Sequence, residues 1–320
     1  MPRYIRNTAI LAKIETTYGT DAAPTGAANA ILVSNCTLNP LAATNVKRDL
    51  IRPYFGGSEE LVGPAYVEAT FDVEFQNGGA AGVAPAWGPL MRAGGFAEGL
   101  LTAPARVEYT PVSSGFESVT IYYYLDGVLR KLLGARGDFS YKLGIGNRPV
   151  MSFKFLGLDG GIAAATPGAL TLTGFKAPKI VTDANSGDIL LGCTYSIGAL
   201  SGGTAYPSKG LDLSMGNAVN HIPLLGGESV DITNRDVTGK LALDLSAAND
   251  VAFMATVKAN TLQTLGWSHG SGAGYQMMIF APAVQIINPK YEDTNGRAMN
   301  AYDLRLTPSA GNDELRIIAL

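Results

Sequence analysis

Residues 67–75 (VEATFDVEF) alternate apolar and polar side chains, with Val67, Ala69, Phe71, Val73 and Phe75 on one face and Glu68, Thr70, Asp72 and Glu74 on the other. A period of two predicts an antiparallel strand with one buried and one solvated face. The pattern recurs 170 positions later in residues 237–245 (VTGKLALDL), where Val237, Gly239, Leu241, Leu243 and Leu245 keep the phase and Asp244 stands where Glu74 does. Each strand is followed by a helix-like segment closed by a Gly–aromatic step, Gly94-Gly95-Phe96 in the first case and Leu265-Gly266-Trp267 in the second. Ile31–Thr37 (ILVSNCT) matches Ile189–Thr194 (ILLGCT), which sets Cys36 against Cys193. The chain therefore reads as one β unit used twice.

The expected first unit covers residues 1–160 and opens on an arm, 1–30. Ile31–Leu38 is its first strand. Residues 40–64 form a long connection containing Lys47, Arg48, Arg52, Pro53, Tyr54 and the Gly56-Gly57 pair. A loop of this length inside a compact unit points to function or partner contact. A short helix is expected over 85–93, with Pro85 in its first turn, Trp87, Leu90 and Met91 on one face, and Gly94 at C′; Pro89 pulls its start toward itself. Strands follow at Val119–Leu125, which contains Tyr122-Tyr123-Tyr124, and where Phe139, Tyr141 and Leu143, then Met151, Phe153 and Phe155, alternate with polar residues.

Residues 161–186 read as a linker or an exchanged segment, with Leu170–Leu172 and Phe175 as the candidate strand. The second unit, 187–320, repeats the order: a strand near 189–197, a connection over 199–230, the strand 237–245, and a helix over 249–264. That helix is capped by Asn249 or Asp250 and places Val251, Met254, Ala255 and Leu262 at helical spacing. The last strands fall near 275–281, 284–288, 299–306 and 314–319. The fold class is all-β with minor α.

Composition narrows the function. Charged residues make up 16% of the 320 residues, against about 25% in ordinary domains. Glycine is abundant, at 39 residues, and the formal net charge is -3. Low charge and many small residues suit a subunit that buries much of its surface against neighbours. No basic run favours nucleic-acid capture. No stretch is long and apolar enough to span a membrane, and the N-terminus lacks a signal-peptide core, so a cytoplasmic site of synthesis is expected. The two cysteines read as buried small hydrophobes rather than a disulfide framework.

No catalytic set emerges. His221 and His269 have no cysteine or carboxylate at ligand spacing, so no metal or cofactor is expected. Gly270-x-Gly272-x-Gly274 lacks the spacing of a phosphate-binding loop, and no nucleophile elbow is present. Glu68, Asp72 and Glu74 on one strand face could be read as paired hydrolase carboxylates, but alternation alone explains them. Arg136-Gly137-Asp138 matches an adhesion tripeptide and reads as a turn before Phe139. Exposed binding loops on a β scaffold would instead make a surface or receptor-binding module, the alternative function class.

Ile14–Pro24 (IETTYGTDAAP) resembles the N-terminal signature of tail tube, or major tail, proteins of long-tailed bacteriophages. Tyr124–Tyr141 (YLDGVLRKLLGARGDFSY) resembles a second segment of that family, in which a strand, a DG turn and a GARG-type loop lead into the next strand. The resemblance implies two tandem tail-tube-type β-sandwich domains, each with one flanking helix, contributing strands to the inner β-barrel of a ring. It implies a structural, non-enzymatic virion protein of the tail, assembled in the host cytoplasm. Its rings would stack around a tape-measure protein and pass DNA in transit, and tail terminator and distal tail proteins would be further partners. Connections 40–64 and 199–230 match the family's stacking loop by position, which marks Arg52, Tyr54 and Phe55 as expected interface contacts. One face of strand 67–75 would line the lumen; if it is the face of Glu68, Asp72 and Glu74, the wall there is acidic and repels DNA. Single-domain members form hexamers. Two units per chain instead imply a trimer with pseudo-sixfold symmetry.

Overall fold

The computed structural model describes residues 2–320. The first half contains β1 (Thr8–Ile14), α1 (Gly26–Asn29), β2 (Ala30–Ile31), β3 (Ser34–Ala43), β4 (Val46–Lys47), β5 (Glu60–Leu61), β6 (Ala65–Glu74), α2 (Gly88–Ala93), β7 (Phe96–Thr102), β8 (Ala105–Pro111), β9 (Val119–Leu125), β10 (Val128–Gly144) and β11 (Val150–Ala164). The second half contains β12 (Ile189–Leu191), β13 (Thr194–Ser196), β14 (Ala199–Ser201), β15 (Thr204–Tyr206), β16 (Ser208–Ser214), β17 (Asn217–Leu224), β18 (Gly227–Arg235), β19 (Thr238–Leu243), α3 (Ala247–Lys258), β20 (Leu262–His269), β21 (Met277–Thr294), β22 (Arg297–Leu306) and β23 (Arg316–Ala319). The fold is all-β with minor α.

Pairing follows one order in each half. In the first it runs β3-β6-β11-β10-β9-β1-β2, and in the second β16-β19-β22-β21-β20-β12-β15, with every neighbour antiparallel. A hairpin projects between the first two strands of each series, β4–β5 and β17–β18. A helix follows β6 and β19 alike. The 170-residue offset survives in the register: Phe71 lies opposite Phe153, and Leu241 opposite Tyr302. The β7–β8 hairpin belongs to the first half only, and β8 pairs with β23 of the second.

Alternation explains the strands directly. Val67, Ala69, Phe71 and Val73 of β6 are buried, as are Leu241 and Leu243 of β19, and residues of both halves share one continuous core. In α2, Pro89 occupies the first turn, where its missing N–H costs nothing, and the Gly94 N–H closes the end on Leu90 O at 3.0 Å.

Several sequence expectations are corrected. The arm contains β1, whose Ala9 and Leu11 face a small cluster with Tyr122 and Tyr124 while Ile10 and Ala12 face the main core. A strand buried on both faces shows no alternation, which hid it. The 40–64 connection begins with the end of β3 and contains the β4–β5 pair, and the 199–230 connection holds β14 to β17 and the start of β18. Helix α3 is capped by Ser246, which accepts from the Asn249 N–H at 3.3 Å, and it ends before Asn260, whose φ of 54° breaks it; residues 262–264 already belong to β20. Its buried contact is Phe253 against Tyr206 and Tyr302, whereas Val251 is exposed.

The cysteine match is not a structural one. Cys36 lies on β3, the counterpart of β16, whereas Cys193 follows β12, the counterpart of β1. Cys193 is buried and Cys36 half-buried, with its thiol pushed up to about 12 by burial. The segment between β11 and β12 forms no named strand among the described residues; Thr171 donates to Gly26 O, and Phe175 packs partly against the core.

Candidate assembly surfaces

The two signature segments meet in space. Glu15, just beyond β1, is buried, and its carboxylate accepts from Gly19 N (2.8 Å), Ser118 Oγ (2.7 Å), Thr120 Oγ1 (2.8 Å) and Gly134 N (2.7 Å). Four donors satisfy a charge that would otherwise be costly to bury. Asp21 accepts from Tyr122 Oη and from Lys131 Nζ at 2.8 Å. Burial pushes its carboxyl upward, but the bonds from Lys131 and Tyr122 outweigh that and hold it below the usual value. Gly134 has φ 57°, and a Cβ there would lie 2.7 Å from the Tyr18 ring. GARG is a bulge within β10, where the register shifts against β9 and β11, rather than a loop, and this bulge and the YGT segment are thus fitted to one another.

This cluster also holds the second half of the chain. Tyr18 Oη accepts the Val230 N–H at 2.6 Å, and its ring lies 4.9 Å from the Arg136 guanidinium. Arg136 donates to Val230 O (2.9 Å), Asp231 Oδ1 (2.5 Å) and Phe116 O (2.9 Å). Asp138 Oδ1 accepts from Asn217 N at 2.9 Å, while Asn217 Nδ2 donates to Gly94 O (2.8 Å) and Gly137 O (3.1 Å). The Arg-Gly-Asp tripeptide is therefore not a turn. It lies within β10 and grips hairpin β17–β18. Beside it, β10 and β16 pair from Ser140–Ser214 to Gly144–Gly210 and join the two halves edge to edge. Sequence reading did not single out Glu15, Tyr18, Arg136 or Asn217 as contacts; the first three were visible as members of the signature segments, and Arg136 also as part of the Arg-Gly-Asp tripeptide read as a turn.

The polar face of the joined sheet carries Glu68, Asp72 and Glu74. Lys154 Nζ lies 3.1 Å from Glu68, Arg148 donates to Glu74 at 2.9 Å, and Asn35 donates to Asp72 at 2.7 Å. In register with them are Ser140 and Lys142 of β10, Asp212 and Ser214 of β16, Lys240 of β19, and Asp303 and Arg305 of β22. The face is a mosaic of both charge signs.

Arg52, Tyr54 and Phe55 lie on the segment spanning β4 to β5. Tyr54 and Phe55 are exposed together with Leu50, Ile51, Leu61 and Val62. Arg52 lies 3.4 Å from Glu59, which also pairs with Arg48. In the matching hairpin, Val230 and Ile232 are buried against the first half while Leu224 and Leu225 at its tip are exposed.

Among the described residues no group of histidine, cysteine and carboxylate side chains could hold a metal ion. His221 contacts Glu228 at 2.6 Å, and His269 contacts Ser186 Oγ at 2.9 Å and Lys179 O at 3.0 Å. No helix is long and apolar enough to cross a membrane among the described residues. The model of a family described as phage tail tube protein matches residues 5–303. No curated protein matches the chain.

Proposed function

The chain belongs to the phage tail tube protein family, and we propose that it is the major tail tube subunit, closing as three chains into a six-unit ring. The rings would stack around the tape-measure protein, meet tail terminator and distal tail proteins at the ends, and form the channel for DNA delivery. The family is one of structural tail components, not enzymes, whose members self-assemble into a tube.

The observation that carries this reading is the recurrence of one strand order in both halves, joined through β10–β16. The recurrence supports descent by duplication, with units near 1–160 and 187–320 and residues 161–186 between them. A heterologous contact whose rotation repeats gives a closed ring, so one junction inside each chain and one between chains would make six positions from three copies. The charge-mixed face bearing Glu68, Asp72 and Glu74 would line the lumen. Lys154 and Arg148 temper its acidity, so passing phosphates meet neither a strongly attractive nor a strongly repulsive wall. Arg52, Tyr54 and Phe55 would contact a neighbouring copy within the ring or in the next ring. An exposed apolar hairpin is costly in a monomer and useful at an interface.

Electron microscopy of assembled tails, viewed down the ring axis, tests the proposal. Three chains with six similar lobes are expected. Rings of six chains would keep the tube function and remove the pseudo-sixfold reading. Formation of normal six-domain rings by chains lacking residues 170–320 would do the same. Assembled particles without rings built from this chain would favour a surface or receptor-binding module.

A further inference from the structure

Strand β10 presents its last five residues to β16, with Ser140 opposite Ser214, Tyr141 opposite Leu213, Lys142 opposite Asp212, Leu143 opposite Leu211 and Gly144 opposite Gly210. The counterpart of this stretch in the second half can be read from the registers. Ser140 faces Ser152, which faces Asp72; Lys290 faces Ala301, which faces Ala242. Asp72 and Ala242 are separated by the same 170 residues as the two repeated strands. Lys290–Thr294 of β21 therefore occupies the place of Ser140–Gly144. By the same route Ser214 faces Thr238, whose counterpart Glu68 faces Asn39, so β3 occupies the place of β16.

Among the described residues these two counterpart edges have no partner strand. Among the described residues, β3 pairs only with β6, and Lys290–Thr294 pairs only with β22. Their exposure differs from that of the joined pair in the sense a missing neighbour would produce. Tyr141 is 1% exposed and its counterpart Tyr291 69%. Leu213 and Leu211 are buried, whereas their counterparts Leu38 and Cys36 are only half-buried. The ten residues of β3 contain no charge, and a long uncharged edge strand is a template for another chain unless something covers it. Pro40, which has no N–H to donate, follows Asn39 and would end a ladder there. Hairpin β4–β5 extends from this open edge with its apolar residues uncovered, just as β17–β18 extends from β16 with its own residues gripped by Arg136.

We propose that β21 of one copy pairs antiparallel with β3 of a second copy of this chain, with Lys290 opposite Asn39, Tyr291 opposite Leu38, Glu292 opposite Thr37 and Asp293 opposite Cys36. The proposal rests on the reading of the chain as a ring-forming tube subunit and adds the strands and the register of its junction. Leu38, Tyr291 and Cys36 then face the outer core, as Leu213, Tyr141 and Leu211 do, while Thr37 and Glu292 join the lumenal mosaic. The edges lie at opposite ends of the series β3-β6-β11-β10-β16-β19-β22-β21, so each copy offers one of each and the contact runs head to tail.

Paired cysteines test the register in assembled tubes. With Leu38→Cys, Tyr291→Cys and Cys36→Ser in one chain, oxidation by copper phenanthroline should give a covalent ladder on a non-reducing gel. Asp293→Cys alone should give the same ladder through the native Cys36 and lose it with Cys36→Ser. With Cys36→Ser removing the native thiol on the Tyr291 face, Thr37→Cys with Tyr291→Cys puts the two thiols on opposite faces and should give none. Rings seen by microscopy in the same samples without the ladder, or with a ladder only from the off-register pair, overturn the junction while leaving the tube function in place. Absence of rings from wild-type tails overturns both. Should the variants fail to assemble, the wild-type ring imaged at strand resolution decides: β21 beside the neighbour's β3 upholds the proposal, and any other neighbour overturns it.

Discussion

The carboxylate of Glu15 accepts the backbone N–H of Gly134 at 2.7 Å across 119 residues of chain, and the same carboxylate serves Gly19, Ser118 and Thr120. It is the point at which the N-terminal segment, β9 and the β10 bulge are tied. Glu15→Ala leaves these donors buried around a void. Unfolding by urea of the unassembled chain should show a loss of roughly 3–5 kcal/mol, the range for breaking a buried polar network. Glu15→Gln should recover only part of it, because the amide places NH2 where an acceptor is needed.

Gly134→Ala should be more costly than the same change at Gly161. Both have positive φ, 57° and 90°, but a Cβ at Gly134 meets the Tyr18 ring at 2.7 Å whereas one at Gly161 meets nothing within 4 Å. The conformational term is shared, at about 1 kcal/mol. The steric term falls on Gly134 alone and should add roughly 1–3 kcal/mol, read as the difference between the two variants' denaturation midpoints at equal m-value.

Arg136→Lys tests the grip on the second half. The ammonium keeps the charge but cannot donate to Val230 O, Asp231 and Phe116 O in the geometry the planar fork allows. Amide exchange should rise at Val230 and in hairpin β17–β18 while β6 and β11 keep their protection. Uniform acceleration across the chain would instead mean that Arg136 supports the whole fold.

Acid should weaken the molecule through His269. Its Nε2–H donates to Lys179 O, its Nδ1 accepts from Ser186, and its ring stacks on Trp267. Burial, with the Lys179 charge in addition, pushes its pKa below the ordinary value of 6.5. A group depressed on folding contributes stability that is present above the unfolded value and lost as pH falls through the folded one. Thermal midpoints should therefore fall from pH 7 toward pH 5, before most carboxylates titrate. The fall should shrink in His269→Gln, whose amide can still meet the carbonyl and the hydroxyl.

Strands with one wet face were legible because local chemistry declares them. In β6 the buried Val67, Phe71 and Val73 and the solvated Glu68, Asp72 and Glu74 leave only one way to lay the strand. Strand β1 was not legible, since Ile10 and Leu11 are both buried and a run apolar on both sides carries no period. The Cys36–Cys193 match misled because a short apolar run followed by a cysteine records composition rather than pairing. The contacts that Arg136 and Asn217 make between the two halves were invisible because those partners lie between 79 and 123 residues away.

By itself, the sequence determined the all-β class, the repeated strand 170 residues apart and the family to which the chain belongs, because alternation and signature segments are local properties. Which strand lies beside which, the use of the Arg-Gly-Asp tripeptide as a clasp and the two open edges at β3 and β21 were decided only by the tertiary structure. Pairing partners and the faces left uncovered depend on long-range backbone hydrogen bonds, for which nearly every residue carries the same donor and acceptor, so a strand's sequence says which face it buries without saying what lies along its edge.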